Sequence, residues 1–168
     1  MNPQSPFAIA NYFIRKSAET GVPLTPMKLI KLVYIAHGWY LALANKRLIW
    51  EPIEAWQYGP VIESLYHAFK RYGNTPLPLS AATDAVITDN EDRDIKRLLD
   101  KIWQSYSKFT AAQLSTITHQ VDTPWSQVYN PNQRKVVIPD ELIKRHYLDK
   151  LDASRRTTAA AAAAAAIA

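Results

Sequence analysis

The sequence predicts a mainly α protein, a compact single-domain helical bundle with a small β-hairpin between its two central helices. Three observations lead to this prediction. Apolar residues recur at spacings of three, four and seven over six stretches of the chain, as they do on the buried side of a helix. Most of these stretches begin with a capping residue or a proline, and three of them end close to a glycine or a proline. Only residues 48–57 are short, aromatic and partly alternating, which is typical of strands.

The first helix is predicted to begin at Pro6 and to end at Gly21. Ser5 can cap its free amides, and proline suits a first-turn position because its missing N–H is not needed there. Residues of the expected buried stripe recur at helical spacing: Ile9, Ala10, Phe13, Ile14 and Ser17.

A second helix, beginning at Pro26 after a possible Thr25 cap, is apolar on nearly every side. No charged residue lies between Lys31 and Lys46. A helix without a polar face is buried at the centre of its domain, and this run is shorter than the roughly 20 residues that cross a membrane. We expect the other elements to pack around this helix.

The stretch that follows predicts the β-hairpin and a third helix. The two strands would be residues 48–50 and 54–57, separated by Glu51 and Pro52. The third helix is expected to follow Gly59, with Pro60 in its first turn, and to end at Gly73.

The second half of the chain predicts a loop followed by three helices. Two prolines exclude a helix over residues 74–80. Helical periodicity returns over residues 89–106 and, after a capping box, over 110–121; residues 136–138 are predicted to be extended before a last helix from Pro139. Acidic residues at the start of the 89–106 helix suit the positive end of its dipole, so they need no metal: Asp89, Glu91, Asp92 and Asp94.

Residues 1–152 are predicted to form one domain and residues 153–168 an alanine-rich C-terminal tail. The chain of 168 residues is long enough to bury a core without disulfides or metals. Eight consecutive alanines form only a marginal helix when isolated, because helix nucleation is costly. We therefore expect a flexible tail.

Composition narrows the functional class. The chain has no cysteine, which excludes disulfides and thiolate metal sites. Its N-terminus lacks the basic and apolar segments of a secretion signal, so a cytoplasmic location is expected. The net charge of +5 permits contact with nucleic acid or an acidic protein, but the basic residues come as scattered pairs rather than as one block.

No catalytic or metal-binding arrangement stands out in the sequence. The four histidines form no metal-ligand motif, and no phosphate-binding loop follows a strand. Three carboxylates near the hairpin, Glu51, Glu54 and Glu63, offer an acid/base pair in principle, but their spacing does not set them apart from surface carboxylates. We expect no enzymatic activity, no metal and no cofactor.

Aromatic residues are concentrated in the central stretch, and so short a hairpin cannot bury all of its own. Amphipathic aromatics beside cations are typical of the residues that dominate protein interfaces. The sequence therefore predicts a binding module whose partner contacts are Lys46, Arg47, Trp50, Trp56, Tyr58 and Arg71.

Four blocks of the chain resemble one known family. Residues 27–39, 54–61 and 65–70, followed by residues 114–119 with Pro124 and Trp125, are similar to the phage-associated, Panacea-type antitoxin domain. The resemblance covers about residues 7–151. It places eight residues in the family framework: His37, Trp39, Gly59, Pro60, His67, His119, Pro124 and Trp125.

The resemblance implies a mostly helical protein, encoded beside a toxin gene in bacteria or prophages, that binds and neutralises its toxin. It also implies that toxins paired with this domain are chemically diverse, and it brings no catalytic residues. The expected partner is thus a cognate toxin protein, with no membrane contact. Three alternatives stay open: a nucleic-acid-binding transcriptional autoregulator, a hydrolase that uses the carboxylates and histidines, and self-association into a homo-oligomer.

Overall fold

The computed structural model describes residues 2–88 and 92–167 and confirms a mainly α fold with a small hairpin. Two short 3₁₀ turns, Lys70–Tyr72 and Leu79–Ala81, flank the loop that the prolines predict. The helices and strands, in chain order, are α1 (Pro6–Thr20), α2 (Pro26–Ala44), β1 (Glu54–Trp56), β2 (Gly59–Val61), α3 (Glu63–Phe69), α4 (Asp92–Tyr106), α5 (Ala111–His119), α6 (Pro124–Val128) and α7 (Asp140–Ile167).

Helix α2 lies at the centre of the core, as its apolar sequence predicts. It packs against α1, α3, α4, α5, α7 and strand β2, and most of its residues are buried. In the described ranges, none of the helices combines the length and apolar character that crossing a membrane requires.

Helix α7 packs closely against α2 because Gly38 leaves room for an aromatic ring. A Cβ atom added at Gly38 would lie 2.1 Å from a ring carbon of Tyr147. The Tyr147 side chain is buried there and meets the Trp39 ring edge-on, with 5.2 Å between centroids.

A hydrogen-bonded group on the same two helices fixes the start of α7. The backbone N–H of Ile49 donates to Nδ1 of His37 over 3.4 Å, so the histidine proton resides on Nε2, which donates to Asp140 over 3.3 Å. The bond from His37, with the added charge of Arg47, lowers the pKa of the Asp140 carboxyl. This arrangement connects α2, the loop after it and α7.

The hairpin lies between α2 and α3 as predicted, but its strands differ from the prediction. Strand β1 pairs antiparallel with β2, with Ala55 opposite Pro60. The predicted first strand, residues 48–50, instead joins the N-terminal segment, since Gln4 and Ile49 form a parallel bridge. Residues 136–138 are extended as predicted and lie beside β1, where Ala55 donates to the carbonyl of Val136.

The predicted third helix begins too early and ends too late. Pro60 belongs to strand β2, and α3 runs only from Glu63 to Phe69 before the chain tightens into a 3₁₀ turn. Proline fits a strand edge as well as a helix start, so its presence alone did not decide between them. Pro124 opens α6, a short helix that the sequence pattern does not predict, at a first-turn position.

The alanine run is the C-terminal part of α7, so it is not the isolated segment that the sequence prediction assumes. It continues α7, whose first three turns are anchored by Ile143 and Tyr147 in the core. Extending an existing helix costs no new nucleation, and alanine has the highest helix propensity.

The starts of α2 and α4 bear on two further sequence predictions. Thr25 occupies the cap position of α2, but its hydroxyl makes no capping bond. Of the acidic residues predicted at the start of the fourth helix, Asp89 and Glu91 lie outside the described residues, and α4 is described from Asp92.

The contact at Gly38 gives a stability prediction. Alanine at this position gains about 1 kcal/mol of helix propensity but drives a methyl group into the Tyr147 ring, which costs about 3 kcal/mol. We expect Gly38→Ala to lower the free energy of unfolding by about 2 kcal/mol in urea titrations. In a Tyr147→Leu background the same change should cost much less, and an equal cost in both backgrounds would disprove the clash.

Candidate functional site

Three helices hold the turn of the hairpin through hydrogen bonds to its main-chain carbonyls. Trp125 on α6 donates its indole N–H to the carbonyl of Trp56 over 2.7 Å, and Ser115 on α5 donates to that of Tyr58 over 2.8 Å. Lys31 on α2 donates to the carbonyl of Pro60 over 2.9 Å. The backbone from residue 56 to residue 60 is therefore fixed from three directions.

Gly59 has a physical reason to be glycine. Its φ of +105° is a conformation that side chains rarely adopt, and an added Cβ would lie 2.7 Å from Nζ of Lys31. The close approach lets the lysine reach the hairpin backbone.

Trp56 separates two concave surfaces beside the hairpin. Its indole N–H donates to the carboxylate of Glu54 over 2.7 Å, and its ring meets that of Tyr66 edge-on at 4.8 Å between centroids. These two contacts fix the orientation of the ring.

The first concave surface, here named the Lys31 cavity, has a volume of about 400 Å³. It lies between the start of α2, the hairpin and the end of α3. Its walls are mostly apolar and aromatic and include Met27, Ile30, Lys31, Trp56, Tyr58 and Tyr66.

The second concave surface, of about 420 Å³, is more polar. Glu63, His67 and Lys135 line it opposite Trp56. Lys135 lies 2.8 Å from the Glu63 carboxylate, and this bond lowers the pKa of that carboxyl while raising that of the lysine. The negative charge of Glu63 therefore balances part of the positive charge on this surface.

The ammonium group of Lys31 is the electrostatic anomaly of the site. Its side chain is 1% exposed, and burial lowers its pKa from the ordinary 10.5 to about 7. Among the described residues its only hydrogen-bond acceptor is the carbonyl of Pro60.

The six predicted contact residues fall into separate groups. Trp56 and Tyr58 line the Lys31 cavity. Lys46 and Arg47 line a different depression of about 310 Å³ at the other end of α2. Arg71 lies over the ring of Tyr72, with 5.0 Å between its guanidinium carbon and the ring centroid.

Trp50 and Arg47 both follow the end of α2, but their side chains differ in their contacts with the rest of the protein. Trp50 is 58% exposed, and its backbone N–H donates to the carbonyl of Gln4. The guanidinium of Arg47 donates to the carbonyl of Glu51 and lies 3.2 Å from the Asp140 carboxylate. Arg47 therefore contributes to the fold.

Most of the predicted framework residues make contacts inside the protein. Trp39 donates to the hydroxyl of Tyr106 over 3.3 Å, and the His119 ring lies 5.2 Å from that of Trp125. Pro124 is buried at the start of α6. His67 differs from them because it is exposed, with Nε2 3.5 Å from the Glu63 carboxylate.

The three carboxylates considered for acid/base chemistry have separate partners. Glu51 accepts bonds from the backbone and hydroxyl of Ser64, Glu54 from Trp56, and Glu63 from Lys135. Across residues 2–88 and 92–167, no three side chains of the metal-binding types are grouped so that they could hold an ion.

Sequence reasoning missed Lys31, although a signal was present. Two lysines, Lys28 and Lys31, lie three residues apart in a helix that is otherwise apolar nearly all round. A helix buried on every side must bury at least part of such side chains, so each needs an internal acceptor.

Comparison with known proteins identifies a family for the chain. A family model described as "Antitoxin SocA-like, Panacea domain" matches residues 29–126, which include the hairpin and all three side chains that hold it. The chain is also similar to the protein named Antitoxin SocA from Caulobacter vibrioides (strain NA1000 / CB15N), with 26% identity over 130 residues. The match covers 73% of this chain and 69% of that protein. No solved structure matches the chain.

The burial of Lys31 predicts an unusual pH dependence of stability. Its folded pKa lies below its unfolded pKa, so between pH 7 and 10.5 the unfolded state binds more protons and the native protein gains stability as pH rises. Below pH 7 the full cost of burying the charge remains.

We expect Lys31→Met to raise the free energy of unfolding by about 1 to 3 kcal/mol at pH 6, because it replaces a buried charge with an apolar side chain of similar length. The gain should shrink at pH 8 and at pH 10. Urea titrations at the three pH values measure it. A variant that is less stable than the native protein at pH 6 would mean that the bond to Pro60 outweighs the cost of burial.

Proposed function

The chain belongs to the family of SocA-like antitoxins with a Panacea domain, and from this premise we propose that it neutralises the toxin of a bacterial or prophage toxin–antitoxin pair by binding it directly. The complex forms in the cytoplasm. The contact is made by the hairpin surface, which we define as Trp56, Tyr58, Tyr66 and Lys70.

One observation carries the proposal: the hairpin surface presents two exposed aromatic rings, Tyr58 and Tyr66, beside a turn whose backbone is already fixed. Tyr58 is 62% exposed although three side chains hold the turn around it. Aromatic side chains supply large contact areas and are enriched among the residues that dominate binding energy. Because the backbone is ordered before binding, little conformational entropy is lost in the complex.

Neutralisation by this route requires no chemistry from the antitoxin. Covering the toxin's active site, or holding the toxin in an inactive conformation, is enough. The carboxylates near the hairpin support this view because Glu51 and Glu54 are engaged in internal bonds.

The residues at the far end of α2 are a weaker candidate for the same contact. Trp50 is exposed there, but Arg47 beside it donates to the carbonyl of Glu51 and forms an ion pair with Asp140. We therefore assign the main contact to the hairpin surface and treat the sequence prediction for Lys46, Arg47 and Trp50 as the competing location.

Co-expression with the neighbouring gene tests the proposed function as a whole. We expect the adjacent open reading frame to stop growth when expressed alone and growth to recover when this chain is co-expressed. The two proteins should then co-purify as a complex. A harmless neighbour, or one that still stops growth in the presence of this chain, would refute the proposal.

Two exposed aromatics allow a matched test of where the toxin binds. Tyr58→Ala should weaken toxin affinity by about 30-fold, the loss expected for a dominant interface residue. Trp50→Ala removes an equally exposed aromatic from the other end of α2 and should change affinity less than about threefold. Calorimetric titration of the toxin measures both, with thermal melts to confirm folding. The reverse ranking would move the contact to the Trp50 end.

A further inference from the structure

The two buried lysines of α2 are satisfied to different extents. Lys28 donates to two carbonyls, those of Ser107 and Pro23, at 2.6 and 3.2 Å. Lys31 is more deeply buried, yet within the described chain it donates only to Pro60. An ammonium group has three N–H donors, so Lys31 keeps two without a protein acceptor.

The Lys31 cavity is positively charged as well as apolar. Two cations line it, Lys31 and Lys70, while no aspartate or glutamate of the described residues does. Pro26 and Met27 place the start of the 19-residue helix α2 in its wall. The Thr25 hydroxyl at this helix start is buried without a hydrogen-bond partner, so the positive end of the helix dipole is not capped.

The shape and walls of the cavity select the class of ligand. About 400 Å³ admits a side chain and the backbone that carries it, but not a whole helix. The walls formed by Met27, Ile30 and Tyr58 favour methylene groups, whereas the unused donors favour a single negative charge. An aspartate or glutamate side chain combines both properties.

We propose that the Lys31 cavity is a carboxylate-binding pocket, in which an aspartate or glutamate side chain of the toxin inserts beside Trp56 and Tyr58 and accepts hydrogen bonds from Lys31. This inference rests on the proposed function and specifies the partner's chemistry at the same surface. Lys31 lines the cavity but is 1% exposed, so an inserted carboxylate contacts its ammonium group only when the lysine side chain turns toward the cavity.

The pairing explains why the antitoxin keeps a costly buried amine. In the free protein, burial disfavours the charged form of Lys31. An inserted carboxylate supplies the missing acceptors and favours the charged form, so part of the burial cost disappears only when the toxin is bound.

Exchange of each buried lysine for methionine tests the pocket. We expect Lys31→Met to reduce toxin affinity at least 30-fold at pH 6 while the variant remains folded. Lys28→Met is the matched control, since it removes a buried lysine from the same helix whose acceptors lie outside the cavity. It should lower stability but change affinity less than threefold.

A pH series on the native protein gives a readout that needs no variant. With a free-state pKa of about 7 for Lys31, the charged fraction falls about 30-fold between pH 6 and 8.5, and toxin affinity should fall by the same factor. The other titratable groups at this site are Tyr58 on the hairpin, Tyr66 on α3, Lys70 after α3, and His119 on α5 beside Gly59. Lys31→Met retains all of these groups. If its toxin affinity does not change with pH, the fall seen with the native protein is due to Lys31.

The last arm identifies the toxin's carboxylate. Single Asp→Asn and Glu→Gln changes are made on the toxin. One of them should lower the toxin's affinity for the native antitoxin at least tenfold and leave its affinity for the Lys31→Met variant unchanged. If no toxin position behaves in this way, or if Lys31→Met and the native protein bind the toxin equally well, the carboxylate-binding pocket is refuted. The proposal of direct neutralisation would not be affected by either result. A native protein that binds no toxin at all would instead remove the proposed function.

Discussion

The complete burial of α2 is the constraint on which the rest of the structure depends. A helix with almost no polar face has to be covered by protein on every side, and here α1, α3, α4, α5, α7 and β2 share that task. Each polar group that remains on α2 then needs an internal partner. His37 donates to Asp140 and accepts from the amide of Ile49. Lys28 donates to the carbonyls of Ser107 and Pro23, and Lys31 donates to a carbonyl of the hairpin. These bonds connect the helix to the segments that cover it.

Much of the fold was predictable because helical periodicity is a local signal. The six periodic stretches all form helices, and the position of the hairpin between α2 and α3 follows from the shorter pattern between them. The strand pairing was not predictable, because it depends on distant partners. Residues 48–50 are apolar enough for a strand, but Ile49 pairs with Gln4, far away in the sequence. Pro60 fits a helix start or a strand edge equally well, and the bond from Lys31 lies beyond any local pattern.

The candidate site shows the same division between local and distant information. The sequence places the aromatic residues Trp56 and Tyr58 in the hairpin region, and in the structure both line one cavity. It did not separate them from Lys46 and Arg47, which are close in sequence but lie at the other end of a 19-residue helix. A helix of that length spans about 28 Å, and the chain after it runs back from its end to its start, so residues about ten positions apart in the sequence need not share a surface.

The way in which the hairpin is held also bears on how much its proposed binding surface can vary. The bonds from Lys31, Ser115 and Trp125 all end on main-chain carbonyls of the turn, at residues 60, 58 and 56. Every residue type supplies such a carbonyl, so the side chain at position 58 can change without loss of the bond from Ser115. Gly59 is the exception, because its φ of +105° and its closeness to Lys31 exclude a side chain. The backbone of the proposed binding surface is therefore fixed by residues behind it, and its exposed side chains can change without loss of these bonds.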